Sequence, residues 1–535
     1  MPSNYVIGCD LGSQSVKTAI FDLQGRLIAE AGHPISATYP HPGWVEQDPL
    51  AFYRATLQTI KQALLNANIT SAQIACLALD SQLGSPVRID DDWNAIGPVE
   101  CEIDIRCQPQ REWMMRDFGD LILEKNGIFP YVAPKLLWWK QEYPAEYQRT
   151  SKAIPLASYV AGKLAGLCAD QAFTDHTFLG IYGISNVREY AWSAELIALS
   201  GIDANKLPRI VMPWDIIGKV TAEVASDTSL LAGTPIAAGL GDAIAGWLGV
   251  AAVEPGILVD TSGTSNHLAA CVDTYRPDLR ERVLMHYPSA ILGQWYALGY
   301  TAGTGRTHNW FVDEFCLSED ERASADKAAI YDRLEAQAAE VAAGSEGMMF
   351  IPHLAGRVCP PLPNVRGTWI GFTWKHKRGN FYRAVLEGIA YEFNSYLNAA
   401  RRLYPESTFG QVLCIGGGAK SKLWTRIKAD VLGLPHAIPR ERQDFAPLGS
   451  AIVAGHAAGL FPNLAATAKQ FTQVDSLVQP DAENHAIYQR YSRFYDDFFE
   501  RTEDLYADLV NLLETPRVTA QEEGGCESAG GGDRK

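Results

Sequence analysis

Asp10 ends an apolar run and is followed by Gly12, Ser13, Gln14 and Ser15, with Lys17 just beyond. Asp260 repeats the arrangement far downstream, ahead of Gly263, Thr264 and Ser265. A turn of glycine and small hydroxyl residues lets successive backbone N–H groups converge on an anion. A carboxylate at the end of the preceding strand is then placed to hold a metal ion beside that anion. Magnesium sheds its hydration shell reluctantly, so Asp10 is expected to hold Mg²⁺ through water. Two such turns, one from each half of a chain, could grip both ends of a triphosphate.

Each turn must be carried by a pair of strands, and the β-prone runs on either side of both turns predict two hairpins. Their separation, about half the chain, suggests duplicated domains rather than a solenoid of short repeats. Between and beyond the hairpins, strand-like and helix-like stretches alternate. Residues 50–67 form an amphipathic pattern with Phe52, Leu57, Ile60 and Leu64 available for packing, and residues 74–79 read as a buried strand. A long final helix is expected over 483–514, with the aromatic stripe Tyr491, Phe494, Tyr495 and Phe498 serving as core.

The order of motifs resembles the FGGY carbohydrate kinases of the actin/heat-shock/sugar-kinase superfold. The segments that carry the resemblance are Gly43-Trp-Val-Glu46-Gln-Asp48-Pro, Ala133-Pro-Lys135-Leu-Leu-Trp138, Gly239-Leu-Gly-Asp242, Arg383-Ala-Val-Leu-Glu387-Gly and Gly416-Gly-Gly-Ala419. The resemblance implies an α/β protein of two actin-like (ribonuclease H-like) domains. Each would be a mixed sheet flanked by helices, with the active site in the interdomain cleft. We expect an N-terminal domain over 1–250, a nucleotide-binding domain over 251–514 and a disordered tail over 515–535.

It also implies ATP-dependent phosphorylation of a small sugar, a ketopentose such as xylulose, or of another sugar or polyol. Asp242 would be the base that takes the proton from the attacking hydroxyl. Gln82, Leu83, Gly84, Asp104 and Arg106 would bind the sugar. Gly12, Ser13, Gln14 and Lys17 would contact ATP from one side, and Gly263, Thr264, Ser265, Gly305, Asn309, Gly417, Gly418 and Ala419 from the other. The glycine turn at 416–418 fits neither a dinucleotide fingerprint nor a Walker A loop, since Ala419 stands where the latter needs glycine.

The acceptor pocket departs from its xylulokinase-like relatives. Gly84 stands where they carry histidine, Glu102 replaces the tryptophan of a Trp-x-Asp-x-Arg element, and Ala243 follows Asp242 in place of an amide residue. These changes bear on which acceptor is chosen. They also keep two rivals open, an acceptor-independent ATPase of the same superfold and a non-catalytic sugar-binding relative.

Composition narrows the remaining classes. With 535 residues the chain exceeds what one core usually serves. A formal net charge of −16 argues against a nucleic-acid or anionic-membrane partner. The ten cysteines form no Cys-x-x-Cys pair and the histidines no zinc spacing, which fits a reduced cytoplasm and predicts no structural zinc. No Gly-x-Ser-x-Gly elbow supports a hydrolase. No signal-peptide pattern or long apolar run is expected to direct the chain to a membrane. A homodimer is left open.

Overall fold

The protein was studied as a computed structural model, which describes residues 4–263, 266–317, 326–440 and 444–514. The tail expected over 515–535 and the hydroxyl residues Thr264 and Ser265 lie outside the described residues.

The first half is built on a seven-stranded mixed sheet. The hairpin around Asp10 forms as expected, from β1 (Tyr5–Leu11) and β2 (Ser15–Asp22), and β3 (Leu27–Pro34) adds antiparallel to β2. Helix α1 (Pro49–Ala67) starts on Asp48, whose side chain accepts from the Leu50 N–H, and stops where Asn68 turns left-handed. It leads to β4 (Ile74–Ser81), which lies parallel to β1. Helices α2 (Gln108–Asn126) and α3 (Val132–Glu142) come next. The sheet is completed by β5 (Ile216–Lys219), β6 (Pro235–Ala237) and the short β7 (Leu240–Gly241), which pairs with the end of β4. Helix α4 (Asp242–Gly249) begins where β7 ends.

The second half repeats the plan in another seven-stranded sheet. Its hairpin is β8 (Ile257–Ser262) with β9 (Asn266–Val272), followed by β10 (Met285–Pro288) and β11 (Trp295–Thr301). Helices α5 (Thr304–Phe315) and α6 (Arg378–Leu403) precede β12 (Gln411–Ile415), which is parallel to β8 as β4 is to β1. Then come α7 (Lys422–Leu432), β13 (His436–Pro439), α8 (Ala446–Ala457), β14 (Val474–Val478) and α9 (Ala482–Glu514). In both sheets an antiparallel hairpin is extended by antiparallel pairing on one side, one strand in the first sheet and two in the second, and by parallel strands ending in an antiparallel edge strand on the other. The mixed two-sheet architecture expected from the sequence is therefore present.

β1 is buried on both faces, which explains its nearly unbroken apolar run. Ile7, Cys9 and Leu11 pack with α1 residues such as Phe52 and Ile60, while Val6 joins the larger core on the other face. On that second face lies α8, which comes from the other half of the chain. Its approach is close enough that a Cβ on Gly8 would fall 1.8 Å from the Pro447 carbonyl oxygen. The long C-terminal helix α9 buries Tyr488, Tyr495 and Phe499. The expected stripe is corrected at Phe494, which is 53% exposed because the buried face runs through 488, 495 and 499 instead.

The α4–α8 contact can be tested directly. A Cβ on Gly449 would sit 1.9 Å from the Ala245 carbonyl oxygen, whereas a Cβ on Gly246, one residue along in α4, would meet nothing within 4 Å. Gly449→Ala should therefore cost about 3 kcal/mol or more, because two backbones must move apart. Gly246→Ala should instead stabilise by roughly 0.5–1 kcal/mol. Urea unfolding of both variants checks the pair.

Candidate active site

Three carboxyl side chains meet where β1, β4 and β7 end. Asp10 and Asp80 are register partners on neighbouring parallel strands, and Leu240 and Gly241 of β7 lie opposite Asp80 and Ser81. Asp242 follows at once, as the first residue of α4. Asp80 is fully buried and was not anticipated from the sequence; an Asp within an apolar run was the only signal. The Ser450 hydroxyl, from α8, donates to its Oδ2 at 2.5 Å.

Burial and the charge of Asp10 push the Asp80 carboxyl well above the ordinary carboxylate range. Of the two, Asp80 is the one whose surroundings most favour the protonated form. Burial and the charge of Asp444 raise Asp10 to about 6. Asp242 is raised to about 8, first by burial and then by the charge of Asp10, with a smaller contribution from Glu102. Its Oδ1 accepts from the Ala243 N–H at 2.7 Å, which leaves Oδ2 for another donor. The Thr177 hydroxyl braces the turn from below, accepting from the Gly241 N–H at 3.0 Å and donating to buried Asp175 at 2.5 Å.

The first hairpin turn stands beside this cluster. Gly12 lies close over Asp10, whose carboxylate oxygens would be 3.6 Å from a Cβ at that position. Ser13 and Gln14 are exposed at the tip. Lys17 forms an ion pair with Asp444, just before α8, so it bridges the two halves. Gln47 ties the turn to the acceptor segment: its Nε2 donates to the Ser13 carbonyl at 2.7 Å and its Oε1 accepts from Gln82 at 2.8 Å. Gln47 lies inside a motif read from the sequence, but its linking role was not. Leu83 packs on the catalytic turn, with Cδ2 placed 2.6 Å from where a Cβ on Gly241 would be.

Asp104 and Arg106 face each other rather than the cleft. Asp104 Oδ1 accepts from the Arg106 N–H and Nε, and Oδ2 from Arg106 Nη2 and the Val45 N–H, at 2.7–3.0 Å. The guanidinium also reaches Glu46 at 2.8 Å and lies 3.8 Å over the Trp44 ring. Their hydrogen-bonding capacity is directed into the fold, and the pair holds the loop that carries Glu102.

On the other side, the turn that opens with Gly417 packs against the base of the second hairpin. A Cβ on Gly418 would be 2.5 Å from Ser262 Cβ and 2.6 Å from the Trp424 ring, whereas one on Gly417 would meet nothing within 4 Å. Gly417 thus presents bare backbone, with Ala419 next in the same turn. Behind it, buried Lys428 pairs with Asp260, donates to Ser262 Oγ at 2.9 Å and lies 4.2 Å over Trp424. Lys428 was not singled out from the sequence, because a lysine on an amphipathic helix reads as solvated. Gly263 stays exposed beyond Ser262. Gly305 and Asn309 lie on α5, and the Asn309 side-chain Oδ1 accepts from the Tyr331 hydroxyl at 2.7 Å.

The model for the N-terminal domain of the FGGY family of carbohydrate kinases matches residues 5–249, and that for the C-terminal domain matches 259–458. The chain belongs to this family. It is a sugar kinase, and ATP is its co-substrate. Xylulose kinase of Staphylococcus epidermidis is 25% identical over 96% of this chain and all of that protein. Autoinducer-2 kinase of Yersinia enterocolitica is 30% identical over 97% of each. Among solved structures, xylulose kinase from Rhodospirillum rubrum superposes with a TM-score of 0.82 at 23% identity, covering 94% of this chain and 100% of that one. Glycerol kinase of Plasmodium falciparum with ADP gives 0.81 at 18%, covering 94% and 98%. These two share the actin-like fold. No described helix is long and apolar enough to cross a membrane.

Asp242 generates a paired prediction. Its folded-state pKa, about 8, lies above the ordinary 3.8, so between those values the folded protein holds a proton that the unfolded chain has lost. Its contribution to stability therefore falls as pH rises from about 4 and levels off above 8. Asp242→Asn should melt close to wild type near pH 4 and increasingly above it up to pH 8. The same variant should lose on the order of 10²–10⁴ in kcat. Thermal melts across pH and a coupled ADP assay check the two halves.

Proposed function

We propose that this kinase transfers the γ-phosphoryl group of ATP to a hydroxyl of a small sugar, a ketopentose such as xylulose. The observation that carries the reading is Asp242, set at the mouth of the carboxylate cluster with one oxygen bonded to its own helix and the other free. A carboxyl raised toward neutral pH is suited to take a proton from an alcohol and return it to water. The names of several full-length relatives, xylulose kinases, support a pentulose as acceptor. Relatives named for other acceptors, and the altered residues Gly84, Glu102 and Ala243, favour a panel over a single assumed sugar.

In this reading the hydroxyl is oriented by Asp242, with Gln82 and the Gly84 turn lining the near side. Gly12, Ser13 and Gln14 receive the phosphates through backbone N–H groups, and Lys17 supplies the positive charge at that turn. Gly417, Gly418 and Ala419 offer a flat surface to the adenine, where a larger side chain would block the base. Gly263, Thr264, Ser265, Gly305 and Asn309 complete the nucleotide side. Asp104 and Arg106 serve the sugar site by holding its loop.

The carboxylate oxygens of Asp10 fit magnesium, and Asp10 would hold Mg²⁺ through water. The ion would neutralise charge on the phosphates. Drawing the two halves together excludes water and so limits hydrolysis of ATP.

Coupled ADP release with Mg-ATP should rise by orders of magnitude with one acceptor among ketopentoses, pentitols, glycerol and aldoses. Steady turnover that ignores every acceptor would replace this reading with an acceptor-independent ATPase. Thermal stabilisation by a sugar without any turnover would replace it with a sugar-binding protein.

A further inference from the structure

Lys135, almost fully buried in α3, gathers the two loops that border the acceptor side of Asp242. Its ammonium donates to the Gly84 carbonyl at 2.6 Å, to Cys101 at 2.8 Å and to Glu100 at 2.9 Å. Glu100 is itself fixed by a fully buried ion pair with Arg88, and Trp139 donates to it at 2.8 Å. The residue that follows this clamped segment is Glu102, so its backbone is held at a set distance from the Gly84 turn. A Cβ placed on Gly84 would touch Glu102 Cγ at 3.5 Å and Tyr131 at 3.4 Å. Glu102 and Tyr131 thus border the space beside Gly84, where a histidine is expected from the family resemblance.

Glu102 is accessible to solvent although protein surrounds it. Among the described residues no lysine or arginine nitrogen lies within 4 Å of its carboxylate; the Tyr131 hydroxyl is beside it, and Lys135 and Arg111 act from further away. The Arg111 guanidinium is stacked 4.4 Å over the Tyr131 ring. The charge of Glu102 is felt by Asp242 on one side and by Tyr287, from the second half of the chain, on the other. Gly84, which Glu102 borders, follows Leu83, and Leu83 packs against Gly241, the residue before Asp242, so the carboxylate lies beside the turn that abuts the base.

We propose that Glu102 is a specificity-determining residue of the acceptor site: it accepts hydrogen bonds from hydroxyls of a neutral ketose or polyol and repels acceptors that carry a carboxylate at that end. The inference rests on the kinase reading above and deepens it by naming the charge class of the acceptor. An ionised Glu102 disfavours a second negative group beside it, while its oxygens still offer lone pairs to hydroxyls. Aldonates would be rejected in favour of neutral sugars of the same length.

The test measures kcat and KM, with Mg-ATP saturating, for wild type, Glu102→Gln and Glu102→Asp. The acceptors are neutral ketoses and polyols set against aldonates of matched length. Wild type should favour its neutral acceptor by a hundredfold or more in kcat/KM. Glu102→Gln should raise KM for that acceptor roughly tenfold to hundredfold with kcat nearly unchanged, because binding to ground and transition states is lost alike. It should also narrow the gap to the aldonate about tenfold. Glu102→Asp, which keeps the charge, should raise KM and still reject the aldonate.

A wild-type preference for an aldonate would overturn the proposal and leave the kinase reading standing. So would a KM within twofold of wild type in both variants, or a loss confined to kcat. If wild type turned over none of the acceptors, the kinase reading itself would fall, and this proposal with it.

Discussion

The clustering of Asp10, Asp80 and Asp242 at one sheet end is the constraint to which the neighbouring structure answers. Carboxyl groups this close and this buried cannot all ionise, and the cost appears as raised pKa values at each. A fold optimised for stability alone would not keep them together. The surroundings distribute the cost: Ser450 donates to Asp80, the Ala243 N–H donates to Asp242, and burial favours the protonated form of Asp80. Perturbation of this kind, in a cleft, is what chemistry with protons and phosphates requires.

Those supports come from both halves of the chain, which makes the cluster a property of the whole molecule. Ser450 lies on α8, and α8 reaches β1 and α4 only because glycines admit its backbone. The Lys17–Asp444 ion pair crosses the same boundary at the mouth of the first phosphate turn. Lys428 does for the second turn what Asp80 and Ser450 do for the first: it fixes the base of a hairpin, through Asp260 and Ser262, so that the tip can meet a ligand. The two hairpins look alike in sequence, yet their buttresses differ. The first is braced by carboxyl groups and a serine, the second by a buried lysine.

What the sequence made legible was local. Asp10 with its glycine turn, the repeat at Asp260 and the Gly-x-Gly-Asp turn at 242 are continuous segments whose residue types announce their geometry. The two-sheet architecture followed from the order of such segments. The misses share a different feature, which is dependence on partners far along the chain. Asp80 is recognisable only once β1 lies beside β4, and Gln47 only once it spans Ser13 and Gln82. Lys428 looks solvated until Asp260, some 168 residues away, is packed against it. The motif that holds Asp104 and Arg106 implies sugar contacts but does not reveal how the two are held. Their side chains turn inward because Glu46, Trp44 and the Val45 N–H supply partners that linear reading does not bring together. The expected aromatic stripe of α9 slipped at Phe494 for a similar reason, since the packed face depends on which neighbour covers it.

The acceptor pocket shows why catalysis and choice of substrate can vary separately on this frame. The base and its phosphate turn belong to β1, β4, β7 and the start of α4, all locked into the sheet. Two of the three residues that differ from the expected pattern, Gly84 and Glu102, sit on loops whose backbones are pinned by one buried ammonium, that of Lys135. Pinning the carbonyls of Gly84, Glu100 and Cys101 fixes the path of both loops without using any side chain at 84 or 102. The side chain at 102 is free to change without disturbing the frame, whereas position 84, at φ +70°, favours glycine. Loss of a bulky ring and gain of a carboxylate change the pocket in opposite senses, adding room while adding negative charge. Room alone would broaden the range of acceptors. Charge beside Asp242 narrows it again, toward molecules that present hydroxyls and carry no charge of their own.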